Sequence, residues 1–519
     1  MVVEPAKTFL DPIENTDGIE LKEVDAPWQG VIDGEVPGQI PTIPLKVLGT
    51  QEQRKIQIDF LREFAARFSM EVRPTAAKVP PLELDIDLAK WRSTKGNQGS
   101  YRSTSAPMEG VIKHQTDTMR RLNVIEVSEA DRHSHVLMVR KLHTDPPQYR
   151  MCMDFVEVND CTKSVERWPL PIIPEMIQRI GRGKPKFFAK MDFTSGYHQA
   201  PMSSAGKIFT TFICWCGLFQ WLRVPMGLKG APSYFQRVMA TVVLAGLLWV
   251  LKVELYVDDL LVYGSTFEEY MYNLRQVFLA LERHEITLNP TKCEFGMSET
   301  EFVGYDINEK GYGLNEKRRE AVFQIPKPTV GKQLKSFIGV AQYFHHHIPD
   351  FSRKIRPLNE MITDYDRHRR LEWTQEAENS WNSIREDIRK CQTLHFMRED
   401  APVYLHTDAS DCGIGDDLFQ IIDGVESPRR IHDQFLTKSE SRWLVTEKEY
   451  YTFVYMFKNT SIFCGTDTLN SKKIIAFSHI STIVPTQRCD AGSFSFPSMT
   501  SVSNASKART TTLRIRSPG

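Results

Sequence analysis

Apolar and polar positions change rhythm several times along the chain, and the changes divide it. Residues 1 to about 100 hold no sustained period. Pro37, Gly38, Pro41, Pro44, Pro74, Pro80 and Pro81 punctuate them and predict extended linker and turns. One helix interrupts this stretch: between Gln51 and Phe68, the residues Ile56, Ile58, Leu61, Phe64, Ala65 and Phe68 recur near helical spacing among charges. From about 105 to 310 helix and strand periods alternate densely, as an α+β domain requires. The stretch from about 314 to 395 reads as helical, with Trp373 and Trp381 as its expected core. A strand, Val403-Tyr-Leu-His-Thr407, opens a further unit that includes a helix around Thr446 to Lys458. From Asp467 onward Ser and Thr abound, only Asp467 and Asp490 are acidic, and no period holds, which predicts a disordered tail. The divisions fall at 1–100, 101–310, 311–400, 401–466 and 467–519. No repeat of 20 to 50 residues is visible.

Composition narrows the classes. At about 150 residues per domain, 519 residues suggest three or four domains. With 41% hydrophobic and 25% charged residues a large core is available and wholesale disorder is excluded. Lys+Arg and Asp+Glu both total 65, so the chain does not coat nucleic acid by bulk charge; a local basic groove stays open. Nine Cys form no CxxC pair, and Cys214 and Cys216 stand too close in sequence for ordinary zinc spacing, so reduced thiols and an intracellular protein are expected. The opening MVVEPAKTFL lacks the pattern of a signal peptide. The longest apolar run, Ala240 to Leu251, is too short to span a bilayer, and no membrane partner is expected.

The segment with most chemistry is Glu254-Leu-Tyr-Val-Asp-Asp-Leu-Leu-Val-Tyr-Gly264. Apolar residues on both sides of Asp258 and Asp259 predict two short strands joined by a tight turn. Half-burying adjacent carboxylates is costly unless a cation compensates them. A second strand, Phe187-Phe-Ala-Lys-Met-Asp-Phe193, ends on Asp192. Convergence of these three acids is what two-metal phosphoryl transfer requires, with oxygen ligands holding Mg²⁺.

Six blocks stand in order: Arg150-Met-Cys-Met-Asp-Phe155, Asp192-Phe-Thr-Ser-Gly-Tyr-His-Gln199, Val224-Pro-Met-Gly-Leu-Lys-Gly-Ala-Pro-Ser-Tyr-Phe-Gln236, Tyr256-Val-Asp-Asp259, Lys292-Cys-Glu-Phe295 and Phe302-Val-Gly-Tyr305. Together they resemble reverse transcriptases, most closely those of gypsy-type long-terminal-repeat retrotransposons. The resemblance implies an α+β right-hand polymerase with fingers and palm over 101–310 and thumb and connection over 311–400. It implies Asp192, Asp258 and Asp259 as catalytic and metal-binding carboxylates, with the Phe193 carbonyl as a further ligand to two Mg²⁺ (or Mn²⁺) ions. Lys141 and Arg150 take the positions of nucleotide-phosphate contacts, and both side chains suit phosphate. Tyr197 takes that of the ring excluding a 2′-hydroxyl, Met226-Gly227 that of the nucleotide-pocket turn, and Phe302, Val303, Gly304 and Tyr305 that of the primer grip. Val156 stands where the family usually has Arg. The implied partners are an RNA template, a DNA primer, an RNA–DNA hybrid and deoxynucleotide triphosphates, in a cytoplasmic particle or the nucleus.

A second block, Val403-Tyr-Leu-His-Thr-Asp-Ala-Ser-Asp-Cys-Gly-Ile-Gly415, followed by Thr446-Glu-Lys-Glu-Tyr450 with Thr446 as a helix N-cap, resembles the α/β ribonuclease H domain of the same elements. Asp408 and Glu449 would be its first two carboxylates, with Glu447 facing solvent. The third is not recognisable: Gly465-Thr466-Asp467 comes too early for the family's Thr-Asp-His block, and Asp416-Asp417 replace small or apolar strand residues. A truncated, inactive ribonuclease H domain over 401–466 is expected. His345-His346-His347 point about 100° apart on a helix, which predicts phosphate or solvent contact rather than a shared ion. No zinc knuckle, integrase block or aspartic-protease triplet is visible, so a portion of a polyprotein or a decayed copy is expected. Two rival readings stand: an RNA-dependent RNA polymerase, and an inactive relic that binds nucleic acid or folds poorly.

Overall fold

The computed structural model of the chain describes residues 43–140, 149–348, most of 350–455, and the strand segments 28–32, 474–478 and 510–512. Its spine is a six-stranded sheet in the order Trp28–Ile32, Ile43–Val47, Glu294–Met297, Phe187–Asp192, Asp259–Gly264, Val253–Tyr256. The strands Phe187–Asp192 and Asp259–Gly264 read as nearly continuous apolar runs because both faces of the sheet are covered. Ala189, Met191, Leu260 and Val262 enter one core with the helix Phe267–Arg283. Phe188, Leu261 and Tyr263 enter the other with the helix Ile173–Arg182. This alternation is the two-residue period of a strand. Gly264 is required by the close approach of the covering helix, since a Cβ there would lie 2.5 Å from the Tyr270 backbone nitrogen.

A five-stranded sheet, in the order Ile125–Val127, Gly217–Trp221, Phe212–Cys214, Ser134–Arg140, Tyr149–Asp154, stands to one side with the helix Ala106–Arg121. On the other side a small sheet (Glu299–Phe302, Tyr305–Asn308, Gly311–Leu314, Leu394–His395) leads into the helices Glu316–Phe323, Gly331–Tyr343, Phe351–Glu360 and Gln375–Arg389. Trp381 is buried there against Phe337, and Trp373 is half-buried, its indole donating to the Pro328 carbonyl at 3.0 Å. A last sheet runs Val425–Phe435, Gly413–Ile422, Val403–Ala409, Ile474–Ser478, Thr510–Thr512. Fingers, palm, thumb and a ribonuclease H-like sheet are thus all recognisable.

Several expectations change. Residues 43–100 are not linker. Leu45 and Val47 are buried in the central sheet, and Phe60, Phe64 and Phe68 surround Phe278 at centroid distances of 5.3 to 5.8 Å. The proline-rich backbone beyond them forms no ladder of its own, and partners far along the chain satisfy it instead. Ala77 N–H donates to the Gln199 carbonyl at 2.8 Å, the buried Arg223 donates to the Pro74 carbonyl at 2.7 Å, and the Tyr234 hydroxyl donates to the Pro80 carbonyl. The expected helix stops at Glu63 and closes with a tighter turn, Ala65–Arg67, and Ile56 faces solvent. The tail contributes strands: Ile474-Ile-Ala-Phe-Ser478 is an apolar run that pairs in parallel with Val403–Ala409. All other residues of 1–42 and 467–519, apart from 28–32 and 510–512, lie outside the described set. The three consecutive histidines form a tight turn, with His347 buried against the rings of Tyr305 and Tyr312, so it reaches neither solvent nor phosphate. Among the described residues no helix is long and apolar enough to cross a membrane.

Candidate active site

Asp192 and Asp259 are direct cross-strand partners in the antiparallel pair Phe187–Asp192 and Asp259–Gly264, so their side chains share one face at the sheet's end. Asp258 sits in the turn between Val253–Tyr256 and Asp259–Gly264, after Val257 at φ +52°. The buried amide of Gln236 holds that turn: its Oε1 accepts from the Val257 N–H at 2.6 Å and its Nε2 donates to the Leu255 carbonyl at 3.3 Å. Two carbonyl-and-amide contacts at one place fix a backbone that is strained at Val257.

Electrostatically the three acids crowd one another. Burial, then Asp192, then Asp259 push the Asp258 carboxyl up to about 6, while Lys292 pulls the other way. Burial likewise raises Asp259. The Asp258 Oδ1 atom is buried with no hydrogen-bond partner. Lys292, from the short turn Pro290–Lys292, places its ammonium 3.1 and 3.3 Å from the two oxygens of Asp192. Neither Lys292 nor Gln236 was assigned a role from sequence, although both lie inside the recognised blocks. Their signal was position alone, because the partners of Gln236 lie about twenty residues away.

This donor set fits a hard divalent cation: carboxylate oxygens, an orphaned buried acceptor, and one ammonium already neutralising part of the charge. Among the described residues no three acidic, His or Cys groups stand in ligand geometry around one point, and Asp192 is paired with Lys292. Phe193 continues past the strand, bridged antiparallel to Leu288, with its ring buried.

Tyr197 lies beside the acids. Its ring stands 5.2 Å from that of Phe235, and burial with the neighbouring Asp258 holds its hydroxyl up near 12, fully protonated at neutral pH. Gly196 permits this approach, because a Cβ there would lie 3.2 Å from Asp258 Oδ1. Met226 is exposed and Gly227 adopts φ +98°. Asn159 clamps their turn, donating to the Gly227 carbonyl at 2.9 Å and accepting from the Lys229 N–H at 2.7 Å. Arg150 is exposed on the strand Tyr149–Asp154, opposite Val139; Lys141 lies outside the described residues. Val156 is exposed on the first turn of the helix Val156–Cys161. Phe302 and Tyr305 are cross-strand partners, with Val303 at φ +44° and Gly304 at φ +91° between them. The Tyr343 hydroxyl donates to the Val303 carbonyl at 3.2 Å.

The second constellation is less complete. Asp408 lies on the strand Val403–Ala409 opposite Gly415, and the next residue back, Thr407, faces Asp416 on one side and Ser478 on the other. Asp416 is buried at 4% exposure. Glu449 is half-buried, and Glu447 is exposed, accepting from the Leu444 N–H at 3.0 Å. Thr446, expected as the N-cap, and Asp467 lie outside the described residues.

Comparison with known proteins supplies the context. Residues 139–307 match the family described as reverse transcriptase (RNA-dependent DNA polymerase), and residues 373–468 match the RNase H-like domain found in reverse transcriptase. The retrovirus-related Pol polyprotein from transposon opus of Drosophila melanogaster is 28% identical over 362 residues, covering 68% of this chain and 36% of the relative. The Pol polyprotein from transposon 412 of the same fly is 27% identical over 353 residues, or 67% of this chain and 28% of that one. The transposon Tf2-3 polyprotein of Schizosaccharomyces pombe is 28% identical over 311 residues, or 60% and 23%. The chain therefore spans about a third or less of these relatives' length. A solved foamy viral protease-reverse transcriptase in complex with double-stranded DNA shares the fold, with TM-score 0.70 and 19% identity over 85% of this chain and 75% of that one. A structure of the foamy viral enzyme with an RNA/DNA hybrid aligns at TM-score 0.67 and 17% identity, over 86% and 64%.

Proposed function

Residues 139–307 of this chain belong to the reverse transcriptase family and residues 373–468 to the RNase H-like family found with it, and on that premise we propose that the chain is an RNA-directed DNA polymerase of a gypsy-type retrotransposon. The observation that carries this reading is the cross-strand pairing of Asp192 with Asp259 beside the buried, unpartnered oxygen of Asp258. The substrates are a primer 3′-hydroxyl, an RNA or DNA template and deoxynucleotide triphosphates. Asp192, Asp258 and Asp259 hold two Mg²⁺ ions; when bound, these supply activation of the attacking hydroxyl and neutralisation of charge on the transferred phosphate. Gln236 fixes the turn that presents Asp258. Tyr197 stays protonated and stands as an uncharged wall at the sugar, against a 2′-hydroxyl. Arg150 and Lys141 bind the triphosphate, and the Met226-Gly227 turn shapes the pocket floor. Phe302 to Tyr305 support the primer terminus.

Asp258→Asn tests the assignment. It should abolish metal-dependent primer extension, a loss of at least about 10³-fold, while binding to an RNA–DNA hybrid changes little. Undiminished extension by this variant overturns the reading, and preference for ribonucleotides over deoxynucleotides in the wild type would favour the RNA-polymerase alternative.

Ribonuclease H activity is absent in this proposal. The strand parallel to the one bearing Asp408 ends on Ser478 beside Thr407, and the buried Asp416 introduces an extra acid on the adjacent strand. An end-labelled RNA annealed to DNA should remain intact with the protein and Mg²⁺ under conditions that allow primer extension.

A further inference from the structure

Cys214 and Cys216 flank Trp215 at the tip of the hairpin formed by Phe212–Cys214 and Gly217–Trp221, where Cys214 pairs with Gly217. Their sulfur atoms lie 3.2 Å apart, and the Cys214 Sγ also points at the Gly217 carbonyl at 3.6 Å. The tip is held rather than loose: the Trp215 indole donates to the Glu109 carbonyl at 3.0 Å, tying the turn to the helix Ala106–Arg121. The two thiols differ in environment. Cys214 is buried at 4% exposure, whereas Cys216 is partly open to solvent. A contact this close between two thiols separated by one residue is not needed for the ladder, and nothing in polymerase chemistry uses it.

We propose that Cys214 and Cys216 form a dithiol site for small-molecule disulfides of the glutathione class, in which Cys216 is the entering thiol and Cys214 the resolving one. Cys216, as its thiolate, attacks one sulfur of the external disulfide; a mixed disulfide forms on Cys216 and one small thiolate leaves. Cys214 then attacks the Cys216 sulfur, the mixed disulfide breaks, and the second small thiolate leaves and takes up the Cys214 proton. In sum two protein thiols are oxidised to one disulfide, the external disulfide is reduced to two thiols, and the protein loses two hydrogens. The order follows from access. Burial pushes the Cys214 thiol up to about 12, so it is almost entirely un-ionised toward an external reagent. Its held proximity to Cys216 makes the second step intramolecular, with the gain in effective concentration that implies. Cys152, half-buried on the strand Tyr149–Asp154, provides a single-thiol comparison in the same sheet.

The site is independent of the polymerase assignment, and its test needs no catalytic readout. The full chain is incubated with oxidised glutathione, quenched in acid, alkylated and mapped by peptide mass. Wild-type protein should yield a Cys214–Cys216 disulfide with no glutathione retained at either position. Cys214→Ser should trap glutathione on Cys216, and Cys216→Ser should leave Cys214 at least tenfold less modified than Cys216 in the first variant. A stable mixed disulfide in the wild type, an unmodified Cys216 in Cys214→Ser, or equal reaction of Cys214 in Cys216→Ser each overturns the proposal. The wild-type mapping stands by itself should either variant fold poorly.

Discussion

Asp258 is held near a pKa of 6, well above its ordinary 3.8, chiefly by burial and then by its acidic neighbours. The folded state therefore binds this proton more tightly than the unfolded chain does. The contribution to stability falls as pH rises from about 4 to about 6, and the full penalty persists above that range. Divalent ions bind the carboxylate form, so they should offset the penalty at pH 7.5 and do little at pH 5. Thermal melts should show a Mg²⁺-dependent rise in Tm at the higher pH that shrinks at the lower one. Metal-free Asp258→Asn should melt a few degrees above wild type at pH 7.5, since it removes the repulsion. Equal Mg²⁺ shifts at both pH values would contradict this account. The three acids were legible in the sequence because each stands at the edge of an apolar strand where a carboxylate is out of place. Gln236 and Lys292 were not, because an amide or ammonium declares its role only through partners that folding brings from elsewhere.

Elements place these residues through turns of unusual backbone. Between Phe302 and Tyr305, Gly304 has φ +91°, and a Cβ there would lie 2.4 Å from Arg318 Nη1 and 2.6 Å from the Tyr343 hydroxyl. Gly304→Ala should cost about 1–3 kcal/mol through strain and crowding, read from urea denaturation, and should reduce the length of DNA made per binding event. The Gln236 clamp is the second such place. Gln236→Ala leaves the Val257 N–H and the Leu255 carbonyl without their partner, a loss of about 1–3 kcal/mol. It should lower kcat for primer extension more than it raises KM for nucleotide. An unchanged kcat would remove Gln236 from the positioning of Asp258. At this scale the strand–turn–strand around Asp258 and the turn at Gly304 lie inside blocks the sequence made visible. For His347 the expected solvent or phosphate contact fails because a helical period was assumed where the chain turns more tightly, and that turn carries this residue into the core.

Over the whole molecule, the surprise is how much of the first hundred residues the polymerase body uses. Prolines argued for linker, yet those segments satisfy their backbone on Gln199, Arg223 and Tyr234, and their aromatic residues surround Phe278. Pattern rules look for a ladder within the segment; Trp28–Ile32 with Ile43–Val47 supplies one that includes Pro44, but the prolines from 74 to 81 have none. A chain begun at residue 107 should therefore expose the Phe278 cluster and be recovered mainly as aggregate, whereas one begun at residue 28 should be soluble and give the same cooperative melt as the full chain. Solubility and circular dichroism of the two shortened chains decide it. The strand Ile474–Ser478 was overlooked for the opposite reason: a short apolar run was outweighed by the Ser/Thr composition around it.

The rung that joins residue 192 to residue 259 has an evolutionary corollary. Side chains on a strand alternate between faces, so removing or adding a single residue between Phe187 and Asp192 would swing the acid to the opposite side of the sheet while leaving the apolar content almost unchanged. Copies of this gene should therefore tolerate many substitutions in that strand but inherit its length without variation, and a one-codon gap there would mark an inactive lineage before any acidic residue had been lost.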